Sequence, residues 1–210
     1  GTMLIGDEFS GMVFGDEHLY SYNLWLHYNS ENDRYFTTHG ASLEAGYSMY
    51  TDDFVHYRSS SPVHVVNGRW RFAVRLTDRL TLQPAVYGRI LLGNEMPWCL
   101  SNFIGGDYAG HYVEQQLPFA GIGNIEVADN AFVATGIKLQ QRIMDNNYLI
   151  ARAAFALNSG KIRNLIDSPL LHGYQLSWAY NSMFGPVNAN IGYSSKTRRV
   201  FFYLNLGYEF

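Results

Sequence analysis

The chain has 210 residues, of which 16% are charged and 16% aromatic, with 20 Gly, 6 Pro and a single Cys. A net charge of −3 argues against a nucleic-acid binder, an apolar share of 47% argues against disorder, and the lone Cys99 excludes an internal disulfide framework or a Cys-rich zinc site. No run of 18 apolar residues marks a transmembrane helix, yet a mean hydropathy of −0.15 suits strands that alternate apolar and polar residues. Gly1-Thr2-Met3 carries no basic region ahead of an apolar run, so the natural start of the protein is expected upstream.

Residues 2–14 hold a weak candidate strand. From Tyr20, the set Tyr20, Tyr22, Leu24, Leu26 and Tyr28 alternates with Ser21, Asn23, Trp25 and His27. Ala41, Leu43, Ala45, Tyr47 and Met49 alternate with Gly40, Ser42, Glu44, Gly46 and Ser48. Trp70, Phe72, Val74 and Leu76 oppose Arg69, Arg71 and Arg75, and Leu80, Leu82, Val86, Ile90 and Leu92 oppose Thr81, Gln83, Tyr87 and Arg89. A weaker strand covers about 110–119. Val133, Ile137, Leu139 and Ile143 face away from Lys138, Gln140 and Arg142, and a hairpin turn at Asp145-Asn146-Asn147 leads to Leu149, Ala151, Ala153, Phe155 and Leu157, set against Arg152 and its neighbours. His172, Tyr174, Leu176, Trp178, Tyr180 and Phe184 share a parity, with Gly185-Pro186 expected as the turn. The last hairpin has Val187, Ala189, Ile191 and Tyr193, then Val200, Phe202, Leu204, Leu206, Tyr208 and Phe210. This period of two gives ten clear strands and up to two weaker ones, with no helical period.

The basic residues keep one parity: Arg69, Arg71, Arg75, Arg89, Lys138, Arg142 and Arg152 all sit on the polar face. That face is otherwise Gly, Ser, Asn, Gln and Ala, which suits a crowded barrel interior better than an open surface. An Arg or Lys facing lipid would cost ~2–4 kcal/mol at the bilayer midplane, which accounts for the strict parity. Tyr20, Tyr28, Trp70, Tyr174, Tyr193 and Tyr208 near strand ends fit interfacial girdles. The expected fold is therefore an all-β, antiparallel transmembrane β-barrel of 10–12 strands, itself complete or part of a barrel of up to 16. A soluble all-β binding domain is the alternative. The Arg69/Arg71/Arg75 stripe either binds an anion or tunes a pore, or forms a lumen network with carboxylates such as Glu44 and Glu114.

Three segments resemble known barrels. Asn29 through Gly40 (Asn-Ser-Glu-Asn-Asp-Arg-Tyr-Phe-Thr-Thr-His-Gly) resembles the N-[ST]-L-[DN]-x-x-x-F-P-T-x-G hairpin of the bacterial surface-antigen and outer-membrane assembly-factor barrels, with Glu31 for Leu and Thr37 for Pro. Asn102 through Gly121 resembles a stretch in the C-terminal barrel of patatin-like phospholipases of Bacteroidetes-type bacteria, with His111 for the usual Arg. Phe184-Gly185-Pro186-Val187 and the final hairpin are similar to the same group, and Phe202, Leu204, Leu206, Tyr208 and Phe210 resemble the C-terminal signal that outer-membrane assembly machinery reads.

The resemblance implies that residues 1–210 are a barrel domain of the bacterial outer membrane. It also implies an N-terminal hydrolase with a Ser-Asp dyad, a partner the barrel anchors and presents or exports. Gly46-Tyr47-Ser48-Met49-Tyr50 is no nucleophile elbow, because the second Gly is missing and the segment reads as a strand. No catalytic residue, metal or cofactor is therefore assigned to this chain. Related barrels fold the loop at 95–110 into the lumen through an Arg-bearing tip; here that tip is Ile104-Gly105-Gly106-Asp107-Tyr108, without the Arg. The alternative function within the resemblance is polypeptide transport or assembly. The expected partners are outer-membrane lipid, the assembly machinery and the hydrolase domain, with a homodimer left open and no nucleic acid.

Overall fold

The computed structural model describes residues 19–58, 60–106, 115–123 and 125–206. Nine strands form one continuous antiparallel sheet: β1 (Tyr20–Asn29), β2 (Gly40–Thr51), β3 (Val63–Arg75), β4 (Leu80–Leu92), β8 (Ala131–Met144), β9 (Asn147–Ser159), β10 (Leu171–Ser182), β11 (Gly185–Ser194) and β12 (Val200–Leu206). Each wall strand pairs with the next along the chain. Three short strands, β5 (Asn102–Ile104), β6 (Gln116–Leu117) and β7 (Glu126–Ala128), form a second sheet within the β4–β8 connection. The expected strand at 110–119 is present in the described residues only as β6, and the candidate strand at 2–14 lies outside them.

Along the inner strands of the wall the faces divide as the period of two requires, whereas β1 is exposed on both. Along β4, Thr81, Gln83, Ala85, Tyr87, Arg89 and Leu91 are buried, while the intervening residues are half-buried or exposed. Along β10, Gly173, Gln175, Ser177 and Ala179 are buried and Tyr174, Leu176, Trp178 and Tyr180 are exposed. This is inverted relative to a soluble protein: the small and polar parity is inside and the large apolar parity outside. Leu24, Val86, Leu139, Leu176, Ile191 and Leu204 are 72%, 47%, 40%, 47%, 49% and 62% exposed, so they form a continuous outward apolar band. Only a hydrocarbon solvent makes that band favourable over the whole wall.

Aromatic rows bound the band. Trp70 with Phe72 and Trp178 with Tyr180 cluster toward one rim, with ring centroids 4.9 and 6.5 Å apart. Toward the other rim, Phe155 meets Tyr174 edge-on and the Tyr47 hydroxyl lies 2.7 Å from His64 Nδ1. From His64 to Trp70, or from Tyr174 to Tyr180, is six residues, about 20 Å along a strand. That is comparable with an apolar band about 25 Å tall between aromatic girdles.

The connections differ between the rims. One rim carries 76–79, 145–146 and 183–184, together with the ten residues 30–39; the other carries 52–62, 93–130, 160–170 and 195–199. Short turns at one end and longer loops at the other are the asymmetry of outer-membrane barrels. The last of the short turns corrects an expectation. Gly185-Pro186 is not the turn: Met183 and Phe184 are, while Gly185 (φ +110°) and Pro186 open β11 opposite Ser182 and Asn181. Gly185 supplies the positive φ at the strand entry, so the strand begins one residue after Phe184. Within β4, Pro84 lacks an N–H, and the β3–β4 ladder is interrupted between the Arg71–Ala85 and Val74–Leu82 pairs.

Candidate functional site

The interior is occupied by the chain itself. Residues 30–39, joining β1 to β2, form a strap that closes on its own polar groups before it meets the wall. The Asp33 carboxylate accepts the N–H groups of Tyr35 and Phe36 at 2.8 and 2.7 Å, and the Asn32 side-chain oxygen accepts those of Thr38 and His39 at 2.9 and 3.1 Å. This leaves Phe36 and Thr37 pointing inward, 6% and 1% exposed. Phe36 stacks on Tyr148 at 4.2 Å and packs with Ile150 and Ala179.

The wall meets the strap with its inward polar residues. Gln83 donates to the Thr37 carbonyl at 2.7 Å, Lys138 Nζ to the Tyr35 carbonyl at 3.2 Å, and Arg75 to the Thr38 hydroxyl at 3.0 Å. Arg71 donates through Nε and Nη2 to the two Glu31 oxygens at 2.7 and 2.5 Å, and the Glu31 side chain is only 3% exposed. Three of the cations placed on the inward face thus bind backbone, hydroxyl and carboxylate groups of one strap.

A second segment fills the interior from the long-loop rim. After a 3₁₀ turn at Trp98–Leu100, β5 lies between β6, parallel to it, and β7, antiparallel. Arg89, 5% exposed, donates to the Leu100 carbonyl at 2.7 Å and to the Asn102 side-chain oxygen at 2.6 Å. Asn102, fully buried, returns a bond to the Asp129 carbonyl at 2.7 Å. The Tyr87 hydroxyl donates to the Pro118 carbonyl, and Phe119 sets its ring edge-on to Phe132.

Glycines let this segment touch the wall. A Cβ on Gly173 would sit 1.9 Å from the Ala120 carbonyl oxygen, and one on Gly121 (φ +83°) would sit 2.0 Å from that of Tyr193. The apolar cluster here joins Tyr87, Ile104, Leu117, Phe119, Ile122 and Phe132 with the small wall residues Ala85, Ala134, Ala154 and Ala156.

The sequence-selected residues fall as follows. Ile104 is fully buried in β5; Gly105 and Gly106 have φ of +123° and +81°, and Gly106 donates to the Ile122 carbonyl at 3.1 Å. Asp107 and Tyr108 lie outside the described residues, as do Glu114, Tyr208 and Phe210. Glu44 lies 3.8 Å from Arg69 and 3.7 Å from His27. Arg152 lines the cavity beneath the strap. Arg75 and Arg142 keep the inward parity but are exposed near the short-turn rim. Phe202, Leu204 and Leu206 face outward on β12. Sequence reasoning missed Glu31, Thr37, Tyr87 and Asn102 as the anchor points. One signal was available for the first: Glu31 stands where the resembled motif has Leu, and a carboxylate in an apolar slot requires a partner.

Two cavities lie beside these segments among the described residues. Beneath the strap, a cavity of about 40 Å³ is lined by Phe36, Thr37, Gln83, Lys138, Arg152 and Asn188, room for roughly two or three waters. On the β1–β4 side, about 310 Å³ lies among Trp25, Glu44, Asn67, Arg69, Arg89 and Gln116.

A family model described as the OMP85 superfamily matches residues 2–210. No curated protein matches the sequence. With a lipid-type exterior, an antiparallel meander and an interior tied to its own loops, the chain belongs to the OMP85 superfamily of outer-membrane β-barrels.

Proposed function

We propose that this barrel is the outer-membrane anchor of an N-terminal patatin-like hydrolase, which it holds, presents or helps to export. The observation that supports this best is the filled interior. Two segments enter from opposite rims and are bound to the wall through Arg71, Gln83, Tyr87, Arg89 and Lys138. A wall so fastened suits a rigid platform better than a passage. The motif likenesses at 102–121 and 184–210 support a patatin-like identity for the attached domain. Barrel domains of this superfamily are not enzymes, so the chemistry belongs to that upstream domain.

In this proposal the outward residues Phe202, Leu204 and Leu206, continued by Tyr208 and Phe210, are the signal read by the assembly machinery. Surrounding lipid is the permanent partner, no cofactor is needed, and a homodimer is compatible with the apolar exterior.

A second reading, polypeptide assembly or transport, draws on one observation. Among the described residues β1 and β12 each pair on one side only. Unpaired strand edges are costly in hydrocarbon, and a client strand would satisfy them.

The two are separated by the gene and by localisation. The anchor reading expects a G-x-S-x-G elbow encoded upstream and esterase activity in the outer-membrane fraction, released to the soluble fraction when residues 20–206 are deleted. Upstream α/β repeats without an elbow, and loss of other outer-membrane proteins on depletion, would replace it with the second reading.

A further inference from the structure

We propose that the outward face of β8–β11 holds one anionic, phosphate-bearing lipid, its acyl chain in a groove of the wall and its headgroup on the loops above. The groove is about 540 Å³ and almost wholly apolar. Its floor is Ala151 and Ala153 on β9. Its walls are Ile137 and Leu139 on β8 and Tyr174 and Leu176 on β10, their register partners on either side. Two small residues recessed between taller rows leave a trough between β8 and β10, strands roughly 10 Å apart, so that the side chains of the two rows flank room for a single hydrocarbon chain. Small outward residues also meet at Ala45, Gly68 and Gly88 across β2–β4, so the charge above the recess, rather than the recess alone, marks this face.

Charge complementarity selects the occupant. The groove ends toward the long-loop rim at Tyr193 and Val200, and the loop between them carries Lys196, Arg198 and Arg199. The neighbouring loop, which tops β9 and β10, carries Lys161 and Arg163. Against these five cations the two loops contain one acid, Asp167. Lys161, Arg163, Arg198 and Arg199 are exposed, and none of the five forms an ion pair among the described residues.

The loop over β9 also exposes Ile162, Ile166 and Leu170, at 48%, 85% and 56%. Apolar tips interleaved with cations are what a segment resting at the headgroup level requires. The opposite side of the same rim has the reverse sign: Asp52, Asp53 and Glu95 against Arg58. A cationic rim on the same side of the wall as an apolar trough, which reaches it at Tyr193 and Val200, matches a lipid whose phosphate lies at the interface and whose chain descends along the wall.

Native mass spectrometry of the whole chain, released from micelles holding phosphatidylglycerol or phosphatidylcholine with identical acyl chains, tests this. The wild type should retain the anionic lipid about tenfold or more over the zwitterionic one, since each interfacial cation strengthens anionic-lipid binding severalfold. The triple variant Lys196→Gln, Arg198→Gln, Arg199→Gln should lose that preference, Ala153→Phe should lower retention of both lipids, and Arg58→Gln should change neither. Excess inorganic phosphate should not displace the lipid. Heat-modifiable gel mobility reports that each variant is folded. Equal retention of the two lipids by the wild type, an undiminished preference in the triple variant, unchanged retention in Ala153→Phe, or displacement by inorganic phosphate would each overturn the proposal.

Discussion

Arg71 holds Glu31 by both carboxylate oxygens across 40 residues of sequence, and the pair joins the centre of β3 to the strap that enters the lumen. The Glu31 side chain is 3% exposed and that of Arg71 is 20% exposed, so neither charge is relieved by bulk water. Removing one partner strands the other. Arg71→Met should destabilise the folded barrel by about 3–5 kcal/mol, whereas Arg71→Met combined with Glu31→Leu should fall within ~1 kcal/mol of the wild type. Urea unfolding midpoints in detergent, arranged as a double-mutant cycle, measure the coupling. Equal losses in the single and double variants would mean that the pair does not hold the strap.

The second inward segment rests on absent side chains. Gly173→Ala places a methyl group against the Ala120 carbonyl, and Gly121→Ala adds a positive φ to the same kind of clash. Each should cost about 1–3 kcal/mol and expose the segment 115–123 to protease, as overpacking does. Gly160→Ala has open space and should remain within about 0.5 kcal/mol. Comparable stability in all three would show that the segment does not bear on the wall.

How far these contacts could be read in advance depends on their range. The wall was legible because each strand repeats its rule locally: Trp70 outward, Arg71 inward, Phe72 outward. The inner sheet was not, because Asn102–Ile104 and Gln116–Leu117 are too short to show a period. Their conformation is set by Arg89 and Tyr87, residues of β4 that look like any other inward pair. The strap was visible as a motif but not as a buried element, since what buries Thr37 is Gln83, 46 residues later. The Gly185-Pro186 turn was misplaced because the dipeptide is a turn signal by composition, whereas the glycine here serves the entry to β11.

Arg89 is the latch of the inner sheet. Its guanidinium is buried and bonded to Leu100 and Asn102. Arg89→Met keeps the volume but leaves two buried acceptors without their donor, at roughly 1–3 kcal/mol each. Chymotrypsin cleavage between residues 98 and 106, at Trp98, Leu100 or Phe103, should accelerate in this variant while the β8–β12 wall remains protected. Unchanged cleavage would place the hold on the inner sheet elsewhere.

The loop 52–62 carries a pH response of known sign. The Asp53 carboxylate accepts the N–H groups of His56 and Val55, at 2.5 and 3.0 Å, and these bonds hold its pKa below the ordinary carboxylate value, the His56 N–H most strongly. A depressed folded pKa means that the stabilisation is complete above the unfolded value, near 3.9, and is lost as pH falls through the folded one. Amide exchange at Val55 and His56 should therefore be slowed between pH 5 and 7 relative to Asp53→Asn, with the difference vanishing at the acid extreme. A difference that persists there would contradict the assignment.

The most direct measurement is spin-label accessibility along β10, one nitroxide at a time on Cys residues introduced from position 174 to 180 in a Cys99→Ser background, in lipid bilayers. Labels at Tyr174, Leu176, Trp178 and Tyr180 should be relaxed by dissolved oxygen, which concentrates in hydrocarbon. Labels at Gln175, Ser177 and Ala179 should be shielded from it. An alternation of the opposite phase, or none at all, would mean that the large apolar residues do not face lipid and that the chain is not a membrane barrel.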